Sequence, residues 1–247
     1  MAQRRSKALI PRATDDAGFF RAALHEMRQP LQIIQGTAEL MEASDPVDDL
    51  PGQVEAIRRE AARLTTIFDD LRYRRDLEDN RLRLHITPVN APPVVDELAA
   101  ALERYYPAQL VTQYPKHLPL VLADPIHLRM ILWTLLYNAA RTGEAGQRRR
   151  DVIELAIRRR GRNLEFALMD SGARLPAKYH AQIFEPRASL PRGPRFGLGQ
   201  GLYVARAVAR AMQGELHHQV PTPTERSAVT RKGNTFILTL PLAGDDR

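Results

Sequence analysis

Phe20, Leu24, Met27, Leu31, Ile34, Ala38 and Met41 recur at alternating steps of four and three. That is a heptad seam, and it dictates an amphipathic helix that packs on other helices. Within the seam lies His25-Glu26-Met27-Arg28-Gln29-Pro30-Leu31. His25 sits roughly 100° round the helix from Leu24, at the seam's edge and partly exposed. Its ring titrates near neutral pH and can act as a nucleophile. A single histidine at a helix edge is ordinarily just a half-buried polar residue. Pro30 argues for more, because a proline in a helix interior loses a hydrogen bond at a cost of about 3 kcal/mol. A chain that keeps it five residues after the histidine uses the kink.

A second seam follows. Val54, Ile57, Ala61, Leu64, Phe68 and Leu71 again step by three and four, after a turn-rich break at Ser44–Gly52. Two such helices form an antiparallel hairpin. A hairpin buries little surface alone, so dimerisation into a four-helix bundle is expected.

The 247 residues have room for one large domain or two small ones. The chain has no cysteine, which excludes disulfides, thiolate chemistry and cysteine zinc sites. No apolar run approaches the roughly 18 residues of a membrane span, and no signal-peptide core opens the chain. A cytoplasmic protein, or such a piece of a longer chain, is expected. The net charge of +7 favours anionic partners without choosing among them. Arg148-Arg149-Arg150 and Arg158-Arg159-Arg160 flank a strand and read as solvated turns. No aromatic residues interleave them as a single-strand binder requires, so no nucleic-acid partner is expected.

Residues 1–14 read as a basic, irregular lead, residues 15–78 as the hairpin, and residues 79–247 as a second domain. In that domain strands are expected near 82–89, 109–113, 118–122, 152–157, 164–169, 216–220 and 235–240. Helices are expected near 94–102, 124–141, 177–183 and 202–212, with Pro92-Pro93 as punctuation. The fold class is α+β, with helices on one face of a mixed sheet.

Three stretches of the second domain carry chemistry. Gly197-Leu198-Gly199-Gln200-Gly201-Leu202 precedes a helix, so its glycines and the helix N-terminus are either a phosphate cradle or a plain loop. Asp170-Ser171-Gly172 ends an apolar strand, as a turn or as a carboxylate that accepts from an amine such as that of adenine. Asn138 and Arg141 share one helix face, which is either solvated or suited to Mg²⁺ and phosphate.

Taken in order, these stretches resemble the transmitter core of a sensor histidine kinase over about Phe20 to Leu242. His25–Leu31 resembles the family's H box, and Asp124 through Asn138-Ala139-Ala140-Arg141 its N box. Asp170-Ser171-Gly172 resembles the G1 box, Ile183-Phe184-Glu185-Pro186 the F box, and Gly197–Leu202 the G2 box. The resemblance implies a phosphotransfer hairpin followed by an α/β sandwich of the histidine-kinase ATPase type. It implies that His25 accepts the γ-phosphoryl group of ATP and that Glu26 takes the ring proton. Asn138 would ligate Mg²⁺, Arg141 neutralise phosphate and Asp170, with Gly172, receive adenine. Gly197, Gly199, Gly201 and Leu202 would shape the phosphate side. Arg187–Phe196 would form a lid anchored by Phe184. The implied partners are a second copy of the chain and a response-regulator receiver domain.

This sequence departs from the family pattern in places. Thr134 stands where a second asparagine is usual, and Arg174 where a second glycine is usual. The lid segment is short and holds Pro191 and Pro194. Gln29 stands where phosphatase-competent kinases commonly carry Thr or Asn. The first two motivate an alternative, a histidine phosphotransferase or scaffold with a degenerate ATP domain.

Overall fold

The structure is a computed structural model and describes residues 16–43, 49–106, 108–143, 151–172, 174–185, 200–219 and 233–244. Helix α1 (Asp16–Ala43) runs unbroken through Pro30, and α2 (Leu50–Glu78) packs along it. The start of α2 corrects the expected break at Ser44–Gly52, because Leu50, Pro51 and Gly52 already belong to the helix. Proline needs no N–H in a first turn. Asp49 caps that turn by accepting from the Gly52 N–H at 3.1 Å. A side chain at Gly52 would overlap the Asp49 carboxylate, so the cap depends on glycine there.

The remaining chain forms an α/β layer. Strands β1 (Thr87–Val89) and β3 (Val121–Ala123) pair antiparallel as a small sheet. The main sheet comprises β2 (Ala108–Gln113), β4 (Asp151–Arg160), β5 (Asn163–Met169), β6 (Glu215–Gln219) and β7 (Thr235–Pro241), in the order β2-β4-β5-β7-β6. The β2–β4 pair is parallel and the others antiparallel, so the sheet is mixed as expected. Helices α3 (Ala91–Tyr105), α4 (Pro125–Gly143) and α5 (Gly201–Ala211) supply the helical layer. Leu128, Ile131, Leu132 and Leu135 of α4 meet Leu155, Phe166, Leu168 and Leu238 in one buried core.

Three expectations in this layer need correction. Pro92 and Pro93 lie in the first turn of α3, where proline is tolerated, and the helix starts three residues before the expected Val94. The alternation over Leu82–Val89 yields a strand only at Thr87–Val89. Leu82 and Leu84 instead pack their side chains on the core, with no strand beside that backbone. The short helix expected at 177–183 is two 3-10 turns, Ala177–Tyr179 and Gln182–Phe184.

Candidate functional site

His25 is exposed on α1, and the next residue, Glu26, is half-buried. Glu26 faces Arg63 of α2, with 3.7 Å between the carboxylate and guanidinium Nη2. The same Nη2 donates to Gln29 Oε1 at 3.1 Å, and Nη1 meets Glu60 at 3.4 Å. Helical spacing places Gln29 one turn beyond His25. The nucleophile candidate therefore faces outward while the acid beside it is tethered to the other helix.

The second cluster lies in the α/β layer. Asp170, at the end of β5, is buried and caps its own turn, with Oδ1 accepting from Gly172 N–H at 2.9 Å. Oδ1 also accepts from the backbone N–H and the side-chain amide of Asn234, at 3.1 and 3.2 Å. The Asn234 Oδ1 in turn accepts from Leu175 N–H at 2.8 Å, which fixes the chain beyond the turn. Gly233 makes this possible, because a side chain there would collide with the Asp170 carbonyl. Gly233 and Asn234 belong to this candidate site and were not singled out in the sequence. The signal was present as a Gly-Asn pair entering the last apolar strand.

Beside Asn234, the His218 ring lies tilted against His180 at 4.2 Å between centroids and meets Phe236 edge-on. Burial, then the neighbouring His180, pushes His218 down to about 4, so it is neutral near pH 7. Phe184 is buried against Phe236, and the Arg206 guanidinium covers its ring at 5.0 Å. The proposed lid anchor is thus firmly seated. The lid itself, Arg187–Phe196, lies outside the described residues.

Asp124 immediately precedes α4, its Oδ1 accepting from the N–H groups of Ile126 and His127 while Oδ2 accepts from His85 N–H at 2.7 Å. Burial pushes this carboxyl up, but the His85 and His127 hydrogen bonds outweigh it and hold the value below the ordinary one. Thr134 and Asn138 follow one turn apart on α4. The Thr134 hydroxyl donates to the Met130 carbonyl at 2.9 Å, which occupies its proton. Its methyl group faces Gly201, where a side chain would lie 3.1 Å from it. Glycine at 201 therefore brings the start of α5 against α4. That start carries no side-chain cap and no acid in its first turn. The Gln200 carbonyl accepts the Val204 N–H there, and the Gln200 side chain is buried. Asn138 is half-buried, and Arg174 is exposed. Gly197, Gly199 and the Arg141 side chain lie outside the described parts, as do the lead and the turn at 44–48.

The hairpin meets this layer along α2. Tyr73 packs edge-on against His127 at 5.5 Å. Arg74, only 2 % exposed, pairs with Glu78 at 2.7 Å. The Asp70 carboxylate lies 3.4 Å from where a side chain on Gly201 would begin. Burial, with Asp69 beside it, pushes the Asp70 carboxyl up to about 7. Among the described residues no group of three or more metal-ligating side chains forms a cage. An asparagine oxygen beside substrate phosphates is nonetheless the sparse donor set that suits Mg²⁺. The buried, oriented Asp170 and the uncapped start of α5 suit a purine nucleotide.

Comparisons with known proteins agree with this division. Residues 16–80 match the His Kinase A (phospho-acceptor) domain, and residues 123–244 match the histidine kinase-, DNA gyrase B- and HSP90-like ATPase. Sensor protein TorS of Escherichia coli strain K12 is 28 % identical, over 97 % of this chain and 25 % of that protein. The aerobic respiration control sensor protein ArcB of the same strain is 28 % identical, over 96 % of this chain and 30 % of its own length. The chain thus spans between a quarter and a third of these relatives. Acinetobacter baumannii histidine kinase AdeS shares the fold, with a TM-score of 0.58 at 21 % identity, covering 89 % of this chain and 98 % of that one. A phospho-acceptor module followed by this ATPase fold, matched along almost its whole length by sensor kinases, makes the chain a histidine kinase transmitter core.

Proposed function

We propose that the chain takes a phosphoryl group from ATP onto His25 and passes it to an aspartate of a response-regulator receiver domain. The observation that carries this is the pairing of an outward-facing His25 beside a tethered Glu26 with a pre-oriented Asp170 in the ATPase fold. ATP, when bound with Mg²⁺, supplies the phosphoryl group, its terminal P–O bond breaking with the electron pair leaving on ADP. His25 takes that group on one ring nitrogen, and Glu26 takes the proton from the other. Asp170 receives the adenine amine, with Gly172 turning the backbone beside it. Asn138 would hold Mg²⁺, and Arg141 with Gly197, Gly199, Gly201 and Leu202 would surround the phosphates, next to the first N–H groups of α5. Such a site works by positioning and charge neutralisation, which is what phosphoryl transfer asks of a protein.

The hairpin, taken as residues 15–78, is the dimerisation unit, and residues 79–247 form the catalytic unit. Leu24 and Leu40 are each 61 % exposed, Leu31 is 47 % exposed and Phe68 58 %. Leu24 and Leu31 belong to the first seam and Phe68 to the second, so a second hairpin would cover them. No described helix is long and apolar enough to cross a membrane, and we place this core in the cytoplasm. Incubation with γ-labelled ATP and Mg²⁺ tests the reading. Acid-labile label absent from His25→Ala is expected; an unlabelled wild type would sink it.

One observation favours a second reading. Thr134 spends its hydroxyl proton on Met130, so α4 lacks the second amide usual in the family. In this reading His25 accepts phosphate from a phosphorylated receiver and the ATP layer is silent. Mg²⁺-dependent binding of ADP at micromolar concentration would exclude it.

A further inference from the structure

We propose that Arg63 is a positioning residue of the phospho-acceptor site, holding the acid and the amide that flank His25 in one fixed arrangement. The inference rests on His25 being the acceptor, and it concerns a residue on the other helix. Gln29 and Arg63 are 34 positions apart, and the hairpin brings them to 3.1 Å. The Arg63 side chain is 9 % exposed, so water does not compete strongly for its N–H groups. A planar fork of five donors can hold several oxygens at once in set directions, and a lysine ammonium keeps the charge and three donors and so retains part of that hold.

Arg63 meets two carboxylates, Glu26 across the hairpin at 3.7 Å and Glu60 on its own helix at 3.4 Å. Gln29 is oriented by the same nitrogen, so its amide points from a fixed place one turn beyond the ring. His25 remains exposed throughout and can meet a phosphoryl donor or a receiver. The arrangement separates labour: α1 supplies the reacting groups, and α2 supplies the side chain that aims them.

The test uses the intact chain with Arg63→Lys, Arg63→Met and the double variant Arg63→Met/Glu60→Gln. The double variant removes a carboxylate that Arg63→Met alone would strand inside the hairpin. The first readout needs no nucleotide: ¹⁵N spectra of the His25 ring report its tautomer balance. That balance is expected to shift in both methionine variants and to return toward wild type in Arg63→Lys. In the second readout, kcat for His25 labelling is expected to fall about 10- to 100-fold in the double variant, the size of effect that misplacing a reacting group produces. KM for ATP should stay within about twofold, because the nucleotide layer is untouched. An unchanged tautomer balance together with wild-type kcat in a folded double variant would overturn the proposal. So would a loss expressed only in KM, or one that Arg63→Lys leaves wholly unrescued. Failure of the underlying reading is a different result: wild-type protein that labels no better than His25→Ala.

Discussion

The helical hairpin and the α/β layer are built from similar fractions of apolar residues but use them in opposite ways. In the layer, Leu128, Ile131, Leu132, Leu155, Phe166 and Leu238 are sealed from solvent. In the hairpin, several large apolar side chains stand out in water, and the buried positions include Arg63, Glu60 and Arg74 beside Ile67 and Leu77. A layer with its own core holds a binding site rigid. A hairpin with charges among its buried residues and leucines outside fits the proposed dimer, in which a second copy would cover those leucines. The contrast suits the proposed chemistry: a fixed site for nucleotide, and a histidine on a helix that a second chain would complete.

The contrast can be broken from the layer side first. Phe166→Ala empties a fully buried position and is expected to cost about 3–5 kcal/mol, read as a lower midpoint in denaturant. A hairpin counterpart should behave differently. Leu31→Ala removes a side chain whose burial awaits the partner, worth about 1.5–3 kcal/mol per copy. Sedimentation should therefore show a weaker dimer while nucleotide binding is retained. Equal loss of nucleotide binding in both variants would erase the distinction.

The seam between the two regions supplies a pH test. Asp70 rises from 3.8 to about 7 where α2 meets α5. The packed state therefore binds a proton that the separated or unfolded state releases. Stability from this group is full below its unfolded value and is lost as pH climbs toward about 7. His218, pushed from 6.5 down to about 4, works the other way and weakens the layer as pH falls. The difference between wild type and Asp70→Asn isolates the first effect. The variant's advantage in thermal midpoint should grow from about pH 5 to about pH 8, since only the wild type must then bury a charge. A constant difference across that range would show that Asp70 is solvated. The smallest effect is expected at the α2 cap, where Asp49→Ala should cost about 1 kcal/mol in a thermal melt.

What was legible in the sequence was what depends on near neighbours. The heptad steps gave both helices, and short apolar runs gave β5 and β7, which are buried along almost their whole length. Alternation misled at Leu82–Ile86, where side chains pack but no strand lies alongside to pair the backbone. Asp170 was legible as a carboxylate ending a strand. Its partner Asn234 was not, being 64 residues away and joined only when β5 pairs with β7. Arg63 read as one charge among several on α2 until the hairpin closed on Glu26. Thr134 shows the same limit from the other side. Its position invited comparison with an asparagine, but the hydroxyl turns back to its own helix and the methyl does the packing.

The central claim joins the two regions: His25 is phosphorylated from ATP by a chain whose hairpin is completed by a second copy. The specific rate of His25 labelling, followed while the protein is diluted through its dimer dissociation, tests both halves together. The account expects acid-labile label on His25 whose rate per chain falls in step with the dimer fraction. An undiminished rate in fully monomeric protein, or no label at any concentration, would contradict it.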